Sequence, residues 1–246
     1  MKKKGIDAGN KGTVPSPLPV ARRLAYSRSA CDSPFISETV RDHYQRLAPV
    51  YNRKANAACT RAYIALVNRC LAGATRVLEL GAGATTVTAQ LDAPLKVACD
   101  LSWHMLAASP VTHRTLCDAT LTPFPDASFD AIVSINLLEH VPEPRRIFEE
   151  AARLLTPGGR FLAVTPNGDH EWLLDLLERL RLKLPEGPHR FLATKELADL
   201  VPQSFSVLEH KPFLAFPAGP DVLVQAMDRL CNRGLFQFIF FNKGSR

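Results

Sequence analysis

With 246 residues, 46% hydrophobic and 22% charged, the chain has the length and balance of one globular α/β domain around a single sizeable core. Its apolar runs fall short of the ~20 residues a membrane helix needs, and no apolar h-region marks a secretory signal. The net charge of +6 is confined to residues 1–30, where seven basic side chains face Asp7 alone; the rest is neutral and offers no basic surplus to a nucleic-acid backbone.

Residues 1–36 are rich in Pro, Gly and Ser, a composition that predicts a disordered basic tail. Its Arg and Ser content and near-absence of acid would suit a peripheral contact with an anionic membrane, or an organelle address. Without such an address the chain is expected in the cytoplasm. Its six cysteines form no C-x-x-C pair and read as free thiols in a reducing compartment, with no zinc site.

From residue 37 to the end one domain is expected, opening with two helices in 37–74 that Pro49 separates. A core over 75–167 then alternates strands and helices. RVLEL (76–80), LKVACD (95–100), HRTLC (113–117), FDAIVSI (129–135) and GRFLAVT (159–165) read as strands. Helices are expected near 85–92, 103–108 and 143–155, the last stopped by Pro157-Gly158-Gly159. The strands are apolar throughout rather than alternating, as in a parallel sheet covered on both faces.

Residues 168–203 form an insertion. There, 171–184 predicts an amphipathic helix with Leu173, Leu176, Leu177, Leu180 and Leu184 on its apolar side, and 194–201 a helix capped by Thr194. Two closing strands, 204–210 and 235–241, flank a helix near 221–232 and complete the segment 204–246.

The chemistry concentrates where the first strand runs into Gly81-Ala82-Gly83. Ligands of open parallel sheets sit at the carboxyl ends of strands, so the bare backbone there points to either a dinucleotide or an adenosyl group. A dinucleotide prefers Gly or Ala where Thr86 stands, and its pyrophosphate would be repelled by Glu79. A ligand carrying ammonium and sulfonium charges would be attracted. Asp100, closing the second strand, suits two ribose hydroxyls in either case. Thr85 and Thr86 read as caps of the next helix rather than ligand contacts.

The ordered set VLELGAGAT (77–85), ACDLS (98–102), CDATLTPFPDASFDAIVS (117–134), NLLEHV (136–141) and LLTPGGRFLAVTPN (154–167) resembles the class I S-adenosylmethionine-dependent methyltransferases, in the branch of quinone and other small-molecule enzymes. YQRLAPVYNR (44–53) resembles the segment preceding the fold in that branch. The resemblance implies a Rossmann-like, doubly wound α/β fold: a seven-stranded, mostly parallel sheet with the last strand antiparallel and helices on both faces. It implies S-adenosylmethionine as cofactor, with Glu79, Gly81, Ala82 and Gly83 at its methionine end. Asp100 would take the ribose hydroxyls, Leu101 would pack on adenine, and Asp118 and the Ala119 N–H would meet the adenine edge. Asn136 and Leu137 would face the reacting end, and Tyr51 would close over the cofactor. Glu79 stands where Asp is more frequent, and Ala84 where Ser, Thr or Gly is common; neither removes the charge or the backbone freedom.

His140 is the histidine placed to act as general base, the competing reading being a packed helix cap. Related quinone O-methyltransferases carry an acidic residue followed at i+3 and i+4 by Glu-His, a cluster implicated in holding a divalent cation. Here Asn136 takes the first position ahead of Glu139 and His140, so no metal is expected. The acceptor implied is a small molecule, hydrophobic or lipid-linked, methylated at oxygen, with Trp172 and the leucine face of the insertion roofing its pocket. A nicotinamide-dependent oxidoreductase and a non-catalytic cofactor-binding relative are the rival readings.

Overall fold

The computed structural model describes residues 34–48, 57–84, 86–179, 189–213 and 234–244. The basic tail to residue 33, the expected helix near 221–232 and the end of the 171–184 segment lie outside these. Two helices, α1 (Pro34–Leu47) and α2 (Ala57–Leu71), lead into seven strands: β1 (Arg76–Leu80), β2 (Leu95–Asp100), β3 (His113–Leu116), β4 (Phe129–Ile135), β5 (Leu155–Pro166), β6 (Phe205–Phe213) and β7 (Phe236–Lys243), with a short helix α3 (Trp103–Ala107) between β2 and β3. They form one sheet in the order β3-β2-β1-β4-β5-β7-β6. β1 to β5 pair in parallel, and β7 runs antiparallel to both β5 and β6, as the resemblance implies.

Period-two alternation divides the buried side chains between two faces. On one, Leu78, Leu80, Ile132 and Phe161 pack under α4 (Arg145–Leu154) through Ile147, Phe148 and Leu154. There Phe161 stacks on Phe241, and Phe148 stands edge-on to both. On the other, Val77, Val133, Leu162 and Val164 pack under α2 through Tyr63, Leu66, Val67 and Cys70. Strands with both faces covered explain the unbroken apolar runs in the sequence. Among the described residues Cys59, Cys70, Cys99 and Cys117 are free thiols, and no helix is long and apolar enough to cross a membrane.

Three local expectations need correction. The helix expected near 85–92 is a single 3-10 turn over Thr88–Gln90; the β-branched run Thr85-Thr86-Val87-Thr88 disfavours continued helix. In α5 (Glu171–Arg179) Leu174 is buried and Leu173, on the expected apolar side, is half-buried against the same cluster, whereas Leu176 and Trp172 are exposed. The expected face holds at Leu173, misses Leu174 and fails at Leu176, because Leu occupies 173, 174, 176 and 177 and periodicity alone does not choose the face. Finally, Thr194 does not cap α6 (Thr194–Asp199). It is the first helical residue and its hydroxyl donates to Asp169 Oδ2 at 2.5 Å, while Glu196 Oε2 accepts the Ala193 N–H at 3.0 Å.

Candidate active site

The strand order reverses between β1 and β4, and the bends leaving β1, β2 and β4 meet beside that switch. Gly81 and Gly83 both adopt left-handed backbone, φ +66° and +52°. A Cβ on Gly81 would lie 2.6 Å from Leu137 Cδ1, so the bend closes against the β4 exit only because that position is bare. The Ala82 N–H donates to Cys99 O at 2.9 Å, tying the bend to β2.

Two acids flank this bend. Asp100 accepts from the Gly83 N–H through Oδ2 and the Ser102 N–H through Oδ1, both at 2.8 Å. Burial raises its carboxyl above the usual range, and the N–H groups of Ser102, Gly83 and Leu101 work against that rise. Glu79 is 1% exposed. Burial pushes its carboxyl up to about 8; Thr88 opposes the rise and the neighbouring Asp100 adds to it. Thr88 stands alongside, yet neither Glu79 Oε2 nor Thr88 Oγ1 makes a hydrogen bond among the described residues. A buried carboxylate with one bare oxygen under a glycine bend suits a ligand that brings its own positive charge.

Leaving β4, Asn136 also adopts left-handed backbone, φ +51°, a conformation that Asn tolerates better than most residues. Its N–H donates to Val164 O, its Nδ2 donates to Tyr63 OH at 3.4 Å, and its Oδ1 is buried without a partner among the described residues. The turn Leu138–His140 follows. Glu139 is buried there and its Oε2 accepts from Thr165 Oγ1 at 2.9 Å. His140 is 8% exposed, with Nε2 hydrogen-bonded to Tyr44 OH at 2.9 Å.

The structure therefore brings Glu79, Gly81, Ala82, Gly83, Asp100, Asn136 and Leu137 together. Leu101 and Asp118 are half-buried at the exits of β2 and β3, and Ala119 is buried. Asp118 Oδ1 accepts both the N–H and the hydroxyl of Thr120 at 2.8 Å, closing a local turn and leaving Oδ2 outside it. Tyr51 lies outside the described residues. Sequence reading missed Tyr44, Tyr63, Thr88 and Thr165. The first two sit on helices whose aromatic spacing was visible; their partners, 96 and 73 residues away in sequence, were not.

The residues in the quinone-enzyme cation positions are committed elsewhere. Asn136 brings no charge, Glu139 uses one oxygen on Thr165, and His140 uses Nε2 on Tyr44. Activity is thus expected to persist in excess chelator; abolition by chelator with rescue by magnesium would show that these side chains rearrange around a metal.

This strand order, with a glycine bend after β1 and an acid ending β2, defines the class I Rossmann-like methyltransferase fold. Residues 78–163 match the sequence profile of the Methyltransferase domain family. A ubiquinone biosynthesis O-methyltransferase of Dechloromonas aromatica is 29% identical over 150 residues, 55% of this chain and 63% of that protein. A demethylmenaquinone methyltransferase of Paenarthrobacter aurescens is 35% identical over 136 residues, 49% of this chain and 54% of that one. The chain thus spans little more than half the length of these relatives. Among solved structures, a methyltransferase of Thermotoga maritima described as S-adenosylmethionine-dependent and a possible histamine N-methyltransferase superposes with TM-score 0.63 at 21% identity, over 83% of this chain and 99% of that one.

Proposed function

We propose that the chain transfers a methyl group from S-adenosylmethionine to an oxygen of a small acceptor with a hydrophobic body. The observation that carries this is the buried acid Glu79, whose Oε2 has no partner among the described residues, just before the Gly81–Gly83 bend. A cationic ligand favours the ionised form of this acid whereas a pyrophosphate would oppose it, so the oxidoreductase alternative is disfavoured. The resident chemistry supplied by the cofactor is an activated methyl with its own leaving group. The chain's residues do the rest. Glu79 holds the amino end, Asp100 the ribose, Leu101 and Asp118 with the Ala119 N–H the adenine, and Asn136 and Leu137 border the reacting end. His140 stands at the acceptor side, and Tyr51 completes the set.

The oxygen acceptor and its apolar body are supported by the quinone O-methyltransferase relatives and by α5, which exposes Trp172 and Leu176 at 68% and 44%. One turn apart on one helix, these two offer an apolar surface on the acceptor-side insertion. The neutral body supports a small molecule over a nucleic acid. The test is a labelled-methyl assay on alkyl-substituted catechols and phenols. Replacing both Trp172 and Leu176 with Ala should weaken acceptor binding about tenfold while cofactor affinity stays unchanged. A parallel fall in both affinities would remove α5 from the acceptor pocket, and label entering amines instead would contradict the oxygen acceptor.

A further inference from the structure

We propose that Tyr44 and His140 form a proton-accepting pair on the acceptor side, in which the Tyr44 hydroxyl meets the acceptor oxygen and His140 stores the proton released. The proposal rests on the methyl-transfer reading above.

Tyr44 OH and His140 Nε2 are 2.9 Å apart, and their rings stand edge-on, centroids 5.4 Å apart. Tyr44 belongs to α1, which precedes the cofactor-binding core; His140 ends the turn that begins beyond Asn136 and Leu137. Tyr44 is partly exposed and His140 buried, so of the two side chains Tyr44 is the more accessible. His140 and its neighbour Glu139 are tied down by three hydrogen bonds, the first made by His140 itself. Its N–H donates to Leu137 O at 2.9 Å, the Arg190 N–H donates to Glu139 O at 2.8 Å, and the Thr165 hydroxyl pins Glu139. The His189 ring, stacked on Phe191 at 4.3 Å, stands edge-on to His140 at 6.5 Å. The leading helix and the segment before α6 thus both close on one imidazole.

Other titratable groups surround the pair: His43, whose ring lies 5.2 Å from Tyr44 on α1, Glu139 beside His140, and His189 opposite. A neutral imidazole accepting at Nε2 makes the phenol a relay rather than a sink. The acceptor O–H bond breaks and its proton passes to Tyr44 Oη as the Tyr44 proton passes to Nε2. The freed oxygen pair forms the new O–C bond while the C–S bond of S-adenosylmethionine breaks, its electrons remaining on sulfur. The imidazolium then returns its proton to water. An acceptor already ionised has no proton to give and gains nothing from the pair. That difference separates proton transfer from structural support.

Two measurements on the full chain test this. Imidazole nitrogen NMR of the protein bound to S-adenosylhomocysteine should show His140 protonated at Nδ1 and bare at Nε2, with Nε2 shifting in Tyr44→Phe. A proton resident on Nε2 would mean the imidazole donates to the phenol, and would overturn the proposal. In the labelled-methyl assay, Tyr44→Phe should slow a 4-alkylcatechol at least about 30-fold more than it slows 4-nitrocatechol at a pH where the latter is ionised, and keep S-adenosylhomocysteine affinity unchanged. Equal losses on both catechols would assign Tyr44 to packing and overturn the proposal. If the wild-type protein binds the cofactor but labels neither catechol, the acceptor class of the proposed function fails. The imidazole tautomer then still decides the pair, bare Nε2 supporting it and protonated Nε2 overturning it.

Discussion

Glu79→Gln is expected to weaken binding of both S-adenosylmethionine and S-adenosylhomocysteine by roughly 10- to 100-fold, the worth of one hydrogen bond to a charged group. Both ligands present the same ammonium, so loss of methyl transfer alone would not satisfy the expectation. The pH dependence carries more information. Burial holds the free Glu79 carboxyl at about 8, so below that pH the acid is mostly protonated. A cationic ligand favours the carboxylate, so binding near pH 7 should expel a proton and tighten as pH rises to about 8. Calorimetry in buffers of different ionisation enthalpy would reveal that proton, and Glu79→Gln should release less. The stability of the ligand-free protein should move the other way. The folded carboxyl is raised above its unfolded value, so the folded state binds more protons between about 4.5 and about 8, and stability falls as pH climbs through that window. The Gln variant lacks this decline. Its melting temperature should match the wild type near pH 5 and exceed it by at least about 4 °C near pH 9. A residue that destabilises the empty fold and strengthens the complex is kept for binding. A variant that lost stability at pH 9 would show the carboxylate to be structural.

Gly81→Ala should have an effect of similar size for a different reason. The position is left-handed at φ +66°, and its new Cβ would meet Leu137 Cδ1 at 2.6 Å. The backbone conformation alone costs about 1–2 kcal/mol in an L-residue, and the contact pushes Leu137 toward the ligand side. Cofactor affinity should drop more than about tenfold. Gly158→Ala is the internal control: φ is +75° but nothing lies within 4 Å of the new carbon. It should destabilise by about 1–2 kcal/mol and leave ligand binding untouched. Adding Leu137→Ala to Gly81→Ala removes the clash and not the strain, so binding should recover in part. If both glycine variants bind normally, the close approach of backbone and ligand at Gly81 is wrong.

The sheet was legible because burial on both faces writes itself as apolar runs. β1, β2 and β4 fall on the residues read from sequence, and Gly158 with Pro157 ended α4 within a residue of expectation. The bend residues and the two acids were legible for a chemical reason, since charge closing a buried strand conflicts with local packing. Other features depend on the tertiary fold. α5 offers four leucines and only the sheet decides that Leu174 turns inward. The helix expected after the bend is too long because Thr85 and Thr86 read as its caps, whereas together with Val87 and Thr88 they limit helix length. Thr194 loses its capping role to Glu196, with Asp169 taking its hydroxyl. The Tyr44–His140 and Tyr63–Asn136 bonds join segments that no local periodicity connects. Each ring could be read as core from its own helix, and only the fold supplies its partner.

The most direct test is an isothermal titration of the full chain with S-adenosylhomocysteine and, separately, with NADH. Saturable 1:1 binding of the thioether in the micromolar range or tighter, with no heat from the dinucleotide, is the expected result. Binding of NADH without any response to S-adenosylhomocysteine would contradict the account.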